Sequence, residues 1–313
     1  MLNEADFFWK NWRLGTELQI AGTFLYNGLY AFDQMESFYH EAEVFEFLYN
    51  ISVGLERLAK ITVILLEHDI QTDQEDFEKK LITHDHFNLL NRIKAHKEIT
   101  MGKSSTKFLQ VIKDFYHSSR YNRYNKKSVY AENHEAKFRR FLEEELDIKV
   151  KVEMIETTPN DQRIKNFIGK IISKITLQLY EIIRNECRRM NIYTYEVNYE
   201  SKAFKIFIRK EFSFKDEHYL KKEILIHLLR KRKKGDGFQD FVKTIKPLPF
   251  ETYNTNYYVQ YLMNFHKHPI VLDELRSIAE DKPLKKERLE KVSLLGEDVE
   301  FDKFNDSFFD DFL

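Results

Sequence analysis

Between Lys103 and Lys127 the chain carries seven cations, Lys103, Lys107, Lys113, Arg120, Arg123, Lys126 and Lys127, against one acid, Asp114. Phe115, Tyr116, Tyr121 and Tyr124 stand among them. Cations neutralise phosphate and aromatic faces stack on bases, so this composition suits RNA or a nucleotide. In that reading Arg120 and Arg123 clamp phosphate, because a guanidinium donates two hydrogen bonds at once. Lys107, Lys113, Lys126 and Lys127 add charge, Tyr121 and Tyr124 supply rings, and His117 is the only nearby acid–base group. The plain alternative is a helix with a buried aromatic stripe and a solvated basic face.

Other groups of chemically able residues are weaker. His84 and His86 flank Asp85, and His266 and His268 repeat that spacing, but no cysteine or carboxylate stands at a diagnostic distance, so capping or surface roles are expected and no metal is. Arg230-Lys-Arg-Lys-Lys234 precedes a Gly-Asp-Gly turn; it would suit phosphate, and equally a helix C-terminus, where the dipole favours cations. Cys187, the single cysteine, has no disulfide partner within the chain. Its place in an apolar helical pattern indicates packing, although Arg184, Arg188 and Arg189 nearby would lower a thiol pKa. Glu143, Glu144 and Glu145 are consecutive, point in different directions on a helix, and make no catalytic pair. No Gly-rich phosphate loop and no Gly-x-Ser-x-Gly elbow occurs, and nine glycines leave few cofactor-binding turns. The standard NTPase, dehydrogenase and serine hydrolase classes are therefore not expected, and no cofactor is.

The elements that must position these residues are mostly helical. Glu4 to Met35 is apolar and aromatic with Gly15, Gly22 and Gly28 interspersed, one kinked helix or two in succession whose glycines permit close packing. Val44, Phe47, Leu48, Ile51, Leu55, Leu58, Thr62 and Leu65 recur every three or four residues and predict a helix from Glu41 to His68. Glu56 and Lys60 sit one turn apart on it. Thr83 or Asp85 would cap a helix through Ile93, Ser104 or Ser105 one through Phe115, and Glu132 to Leu146 gives another. The alternating, proline-bearing stretch Ile148 to Asp161 reads as a linker, and Ile164, Ile168, Ile171, Ile175, Leu179 and Ile182 predict a long helix from Gln162 to Met190. Tyr193 to Ile208 shifts to alternation around a polar turn and predicts a β-hairpin. Helical spacing returns over Asp216 to Leu229 and Tyr257 to Phe265; after Pro283 the chain reads as an extended tail alternating Phe with Asp. The expected organisation is a helical bundle over residues 1–150, an α-rich domain with a hairpin near 193–208 over 151–282, and an acidic-aromatic tail over 283–313, suited to docking on a protein partner.

Gly54-Leu-Glu-Arg-Leu-Ala-Lys60 on a long helix, His84-Asp-His-Phe-Asn-Leu-Leu90 opening the next, and Arg120-Tyr-Asn-Arg-Tyr124 closing a third together resemble the HEPN superfamily, especially its sacsin-like and defence-associated branch, over about residues 1–146. The resemblance implies a four- or five-helix bundle that dimerises and, in many members, cleaves RNA without metal through an arginine followed at a short interval by a histidine. Here Arg92 and His96 stand one residue too close for that motif, and His117 precedes Arg120. The resemblance thus points to members that bind nucleotides or proteins, within bacterial stress or antiviral defence.

Charged residues make up 32% of the chain and aromatic residues 15%, enough for a solvated surface around a real core. With 50 basic and 51 acidic residues, no overall field draws the molecule to polyanions, so any such binding is local. No apolar stretch is long enough to span a membrane and no basic-then-hydrophobic leader opens the chain, so a cytoplasmic protein is expected. The sequence reading is a mainly α protein that binds RNA or a nucleotide. The alternatives are a divergent endoribonuclease, with Arg120 or Arg123 and a histidine such as His117 or His134 converging in space, and a protein scaffold.

Overall fold

A computed structural model of the chain describes residues 4–116, 126, 134–153, 156–193, 197–229, 237–250, 255–263, 270–281 and 285–295. The fold is mainly helical. It divides into two compact units, Met1–Phe214 and Lys215–Leu313.

The first unit opens with α1 (Glu4–Phe8), a π-helical turn (Trp9–Arg13) and α2 (Leu14–Gln34). Then follow α3 (Glu41–Glu67), α4 (Gln74–Leu81), α5 (His86–Lys94), α6 (Lys103–Asp114), α7 (His134–Leu146), α8 (Gln162–Met190) and α9 (Lys202–Phe207). α3 is the central rod, packed against α2, α5, α6, α7 and α8. Its apolar spacing explains this, since Val44, Phe47, Leu48, Ile51, Leu55 and Leu58 are all buried and recur at helical period. α2 lies close to α3 because Gly54 has no side chain: a Cβ there would meet Leu25 Cγ at 2.8 Å. A cluster of Phe32, Phe38, Phe47, Phe108, Phe138 and Phe141 joins α2, α3, α6 and α7, with ring pairs such as Phe32–Phe47 at 4.5 Å. Such pairs add to the area they bury by about 0.5–1.5 kcal/mol each.

The long helix expected from Gln162 to Met190 is present with those bounds. Asp161 caps it, accepting from Ile164 N at 3.0 Å, and Asn191 ends it in the left-handed region at φ 56°, a conformation asparagine tolerates. The segment 148–161, read as a domain linker, is tied into the first unit: Asn160 Nδ2 donates to Phe32 O at 2.7 Å and Met35 O at 3.2 Å, satisfying the end of α2. The unit therefore runs past the expected boundary at 150, and α8 belongs to it, burying Ile168, Ile172, Ile175 and Leu179.

The hairpin expected over 193–208 is not formed. Lys202–Phe207 is helical instead, and among the described residues there are only isolated bridges, Ser37 with Pro159 and Val152 with Thr157. The run Phe204, Ile206, Ile208 alternates, but Ala203, Ile206 and Phe207 also fall at helical spacing, and these are the three that are buried. Ser201 caps this turn by accepting from Phe204 N at 3.2 Å, which settles the ambiguity of so short a run toward helix.

In the second unit, α10 (Lys215–Leu229), α11 (Gly237–Thr244), α12 (Thr255–Met263), α13 (Ile270–Asp281) and α14 (Lys286–Ser293) are described. Tyr258 donates to both oxygens of Glu274, at 2.8 and 2.9 Å, linking α12 to α13. Part of the expected extended tail is helix: Lys286–Glu290 and Lys291–Glu287 pairs, at 3.4 and 3.0 Å, support α14 without an apolar stripe. Residues 296–313, with the Phe–Asp alternation, lie outside the described residues. No described helix is long and apolar enough to cross a membrane.

Candidate functional site

Three of the cations expected to bind nucleic acid are described. Lys107 reaches across from α6 to α7 and pairs with Glu144 and Glu145, each at 2.9 Å; its hydrogen bonds to these carboxylates, Glu145 foremost, raise its pKa. Lys113 pairs with Asp85 at 2.9 Å and lies 5.5 Å from the centre of the Phe87 ring. Lys126 is exposed. His117, Arg120, Tyr121, Arg123, Tyr124 and Lys127 lie outside the described residues, as do Arg230–Lys234, His266 and His268. The expected patch therefore has two of its described charges already neutralised, and one of the partners is Glu145, whose row of glutamates carried no role in the sequence.

What the structure assembles next to that patch is a carboxylate–imidazole pair. Glu56 lies on α3, facing inward and only 7% exposed. Its Oε1 accepts from Lys60 Nζ at 2.7 Å and its Oε2 from His84 Nδ1 at 3.0 Å. Burial pushes the Glu56 carboxyl upward, yet the two hydrogen bonds and the positive charges behind them outweigh it and leave its pKa below the ordinary value. Being an acceptor only, the ionised carboxylate fixes the proton on His84 Nδ1 and leaves Nε2 as the basic nitrogen of the neutral ring. His84 is half exposed, at 51% of its side chain, and its ring stacks on Tyr116 at 4.6 Å and 29°.

The local sequence explains this placement. Asp85 caps α5 by accepting from Phe87 N at 2.9 Å and Asn88 N at 3.2 Å. Burial works against its ionisation, but Lys113 and these backbone donors hold its pKa low. His86, on the other side of the cap, donates Nε2–H to Ser52 O at 2.9 Å, pinning the start of α5 to α3 one turn before Glu56. His84 and His86 thus point to different partners and do not converge as metal ligands; among the described residues no group of three His, Cys, Asp or Glu side chains could hold a metal.

The remaining candidates are structural. Arg92 forks onto Glu67, with Nε at 3.1 Å from Oε1 and Nη2 at 2.5 Å from Oε2, and His96 Nε2 is 3.9 Å from the same carboxylate. Arg92 and His96 are the pair whose spacing most nearly approached the nuclease motif. Cys187 is buried and its thiol is pushed up to about 11 by burial, with a smaller push from Glu186, so its neighbouring arginines do not activate it. Ser104, expected as a cap, instead donates to Glu145 at 2.5 Å, and the capping position of α6 is Gly102.

The sequence held the parts of the Glu56–His84 pair but no sign of their meeting: 28 residues separate them, and no spacing rule links a mid-helix glutamate to a histidine ahead of the next cap. Against these features, comparison of the chain with protein-family models, curated proteins and solved structures finds no match.

Proposed function

We propose that this chain is a HEPN-like helical protein that binds RNA or a nucleotide where α5 begins and α6 ends. The observation that carries the reading is the half-exposed His84 ring stacked on Tyr116 and backed by ionised Glu56. The chain continues directly from Tyr116 into residues 117–127, which hold four cations and no acid. An aromatic–imidazole face followed in the sequence by a run of cations would supply a stacking surface and phosphate donors together.

A second reading, metal-independent RNA cleavage, is favoured by the same pair. A carboxylate-held imidazole is suited to take the proton of a ribose 2′-OH; the 2′-oxygen then bonds to the adjacent phosphorus as the P–O5′ bond breaks, giving a 2′,3′-cyclic phosphate and a 5′-hydroxyl protonated from water, and Arg120 would carry the developing negative charge. Electrophoresis of labelled single-stranded RNA with the protein in EDTA separates the two. The binding reading expects intact RNA to be retarded. Cleavage that His84→Ala and Arg120→Ala each abolish would establish the nuclease instead, and RNA neither retarded nor cut would defeat both.

A further inference from the structure

α10 leaves most of its apolar side chains uncovered. None of its described side chains is buried, and Tyr219, Leu220, Ile224 and Ile226 are each at least half exposed. Single exposed apolar side chains are ordinary, but four within eight residues of one helix form a patch. A helix of 15 residues is marginal in water unless such a patch packs against something. Lys215 and Lys222 are exposed as well. With Tyr219 and Ile226 they fall at spacings of four, three and four, on one side of the helix, while Leu220 and Ile224, one turn apart, lie on the neighbouring side.

The same unit carries a segment of complementary composition. Residues 215–295 hold 17 basic and 12 acidic residues, whereas residues 296–313, outside the described ones, hold seven acids and one lysine. Phe301, Phe304, Phe308 and Phe312 are spaced by three, four and four residues, and Asp302, Asp306 and Asp310 by four. On a helix the phenylalanines would share one side and the aspartates another. That is the pattern of a segment that lays an apolar stripe against a partner with acids at its margin. The 18 residues after Leu295 span up to about 60 Å, against a radius of gyration of about 13 Å for a unit of this size, so the segment reaches any side of its own unit.

We infer that residues 301–313 are the cover of α10: the phenylalanines pack on Tyr219, Leu220, Ile224 and Ile226 of the same chain, with the aspartates beside Lys215 and Lys222. Charge complementarity favours this occupant over a second copy of α10, which would bring the two lysines against their like. Tethering favours it too, because a segment on a short linker acts at millimolar effective concentration and needs only a weak intrinsic affinity. The contact is independent of the RNA reading above.

The test places p-benzoylphenylalanine at position 308 of the full chain and irradiates an equal mixture of isotopically light and heavy chains at about 1 μM, far below the effective concentration of a tethered segment. Mass spectrometry then maps the cross-links. Cross-links within one chain to residues 215–229 are expected. They are expected to fall at least about fivefold in Lys215→Glu/Lys222→Glu, through like-charge repulsion, and in Leu220→Asp/Ile224→Asp, each verified as folded by its thermal transition. Phe304→Ser/Phe312→Ser, which leaves α10 itself untouched, is expected to lower them likewise. Cross-links between light and heavy chains would show that a second copy covers the helix and would overturn the inference. Cross-links only to other residues, none at all, or levels that all three variants leave unchanged would overturn it equally.

Discussion

A carboxylate buried among apolar side chains is costly unless its oxygens are occupied, and in Glu56 they are, by Lys60 and His84. The arrangement ties stability to pH. Because the Glu56 pKa is lower in the folded chain than in a free carboxylate, the unfolded chain takes up its proton first as pH falls. The stabilisation is therefore complete above the ordinary carboxylate range and lost on passing down through the folded value. Glu56→Gln, which keeps the shape and removes the charge, is expected to lower the thermal midpoint at neutral pH, with the difference from wild type shrinking as pH falls below the ordinary carboxylate range. A difference between the two that stays constant across that range would show that the charge has no such role. None of this was legible in the residues. In the sequence Glu56 and Lys60 are a helical pair one turn apart and His84 stands beside a cap, because the contact between Glu56 and His84 depends on how α5 meets α3.

Where apolar spacing persists over many turns, the elements follow from the sequence directly. α3 and α8 could be drawn from their periodicity with nearly the observed bounds, because one buried stripe over such a length admits only a helix. α9 could not. Six residues satisfy both periods, and the outcome depends on a partner, Gly22 of α2, that lies far back along the chain. Gly22 is also the place to test the packing: Gly22→Val puts two methyl-bearing branches where Ala203 Cβ and the Phe207 ring already sit. It is expected to cost about 1–3 kcal/mol of stability, as overpacked cores do, measured by chemical denaturation. A cost near zero would mean that α9 is not seated on α2.

At the scale of the whole molecule, 50 basic residues balance 51 acidic ones, so affinity for a polyanion has to come from where charges are left uncompensated. Total charge in a stretch is a poor guide to that. The segment 103–127 is the obvious basic stretch in the sequence, but α7 supplies Glu144 and Glu145 to Lys107, and the cap of α5 supplies Asp85 to Lys113. Residues 201–210 do not stand out as a charged run, since their alternation predicts a hairpin. Folding puts Lys202 and Lys205 over the Tyr26 ring and Arg209 over that of Tyr199 instead. The expected boundary at 150 moved for a related reason: the proline-bearing stretch 148–161 looks like a linker, but Asn160 uses it to close the end of α2.

Binding of a labelled single-stranded RNA to the intact chain at 50 and 200 mM salt tests the central claim most directly. With about four phosphate contacts, the affinity is expected to fall roughly fiftyfold between the two conditions. No binding at the lower salt, or binding that salt leaves unchanged, would contradict a ligand held through its phosphates.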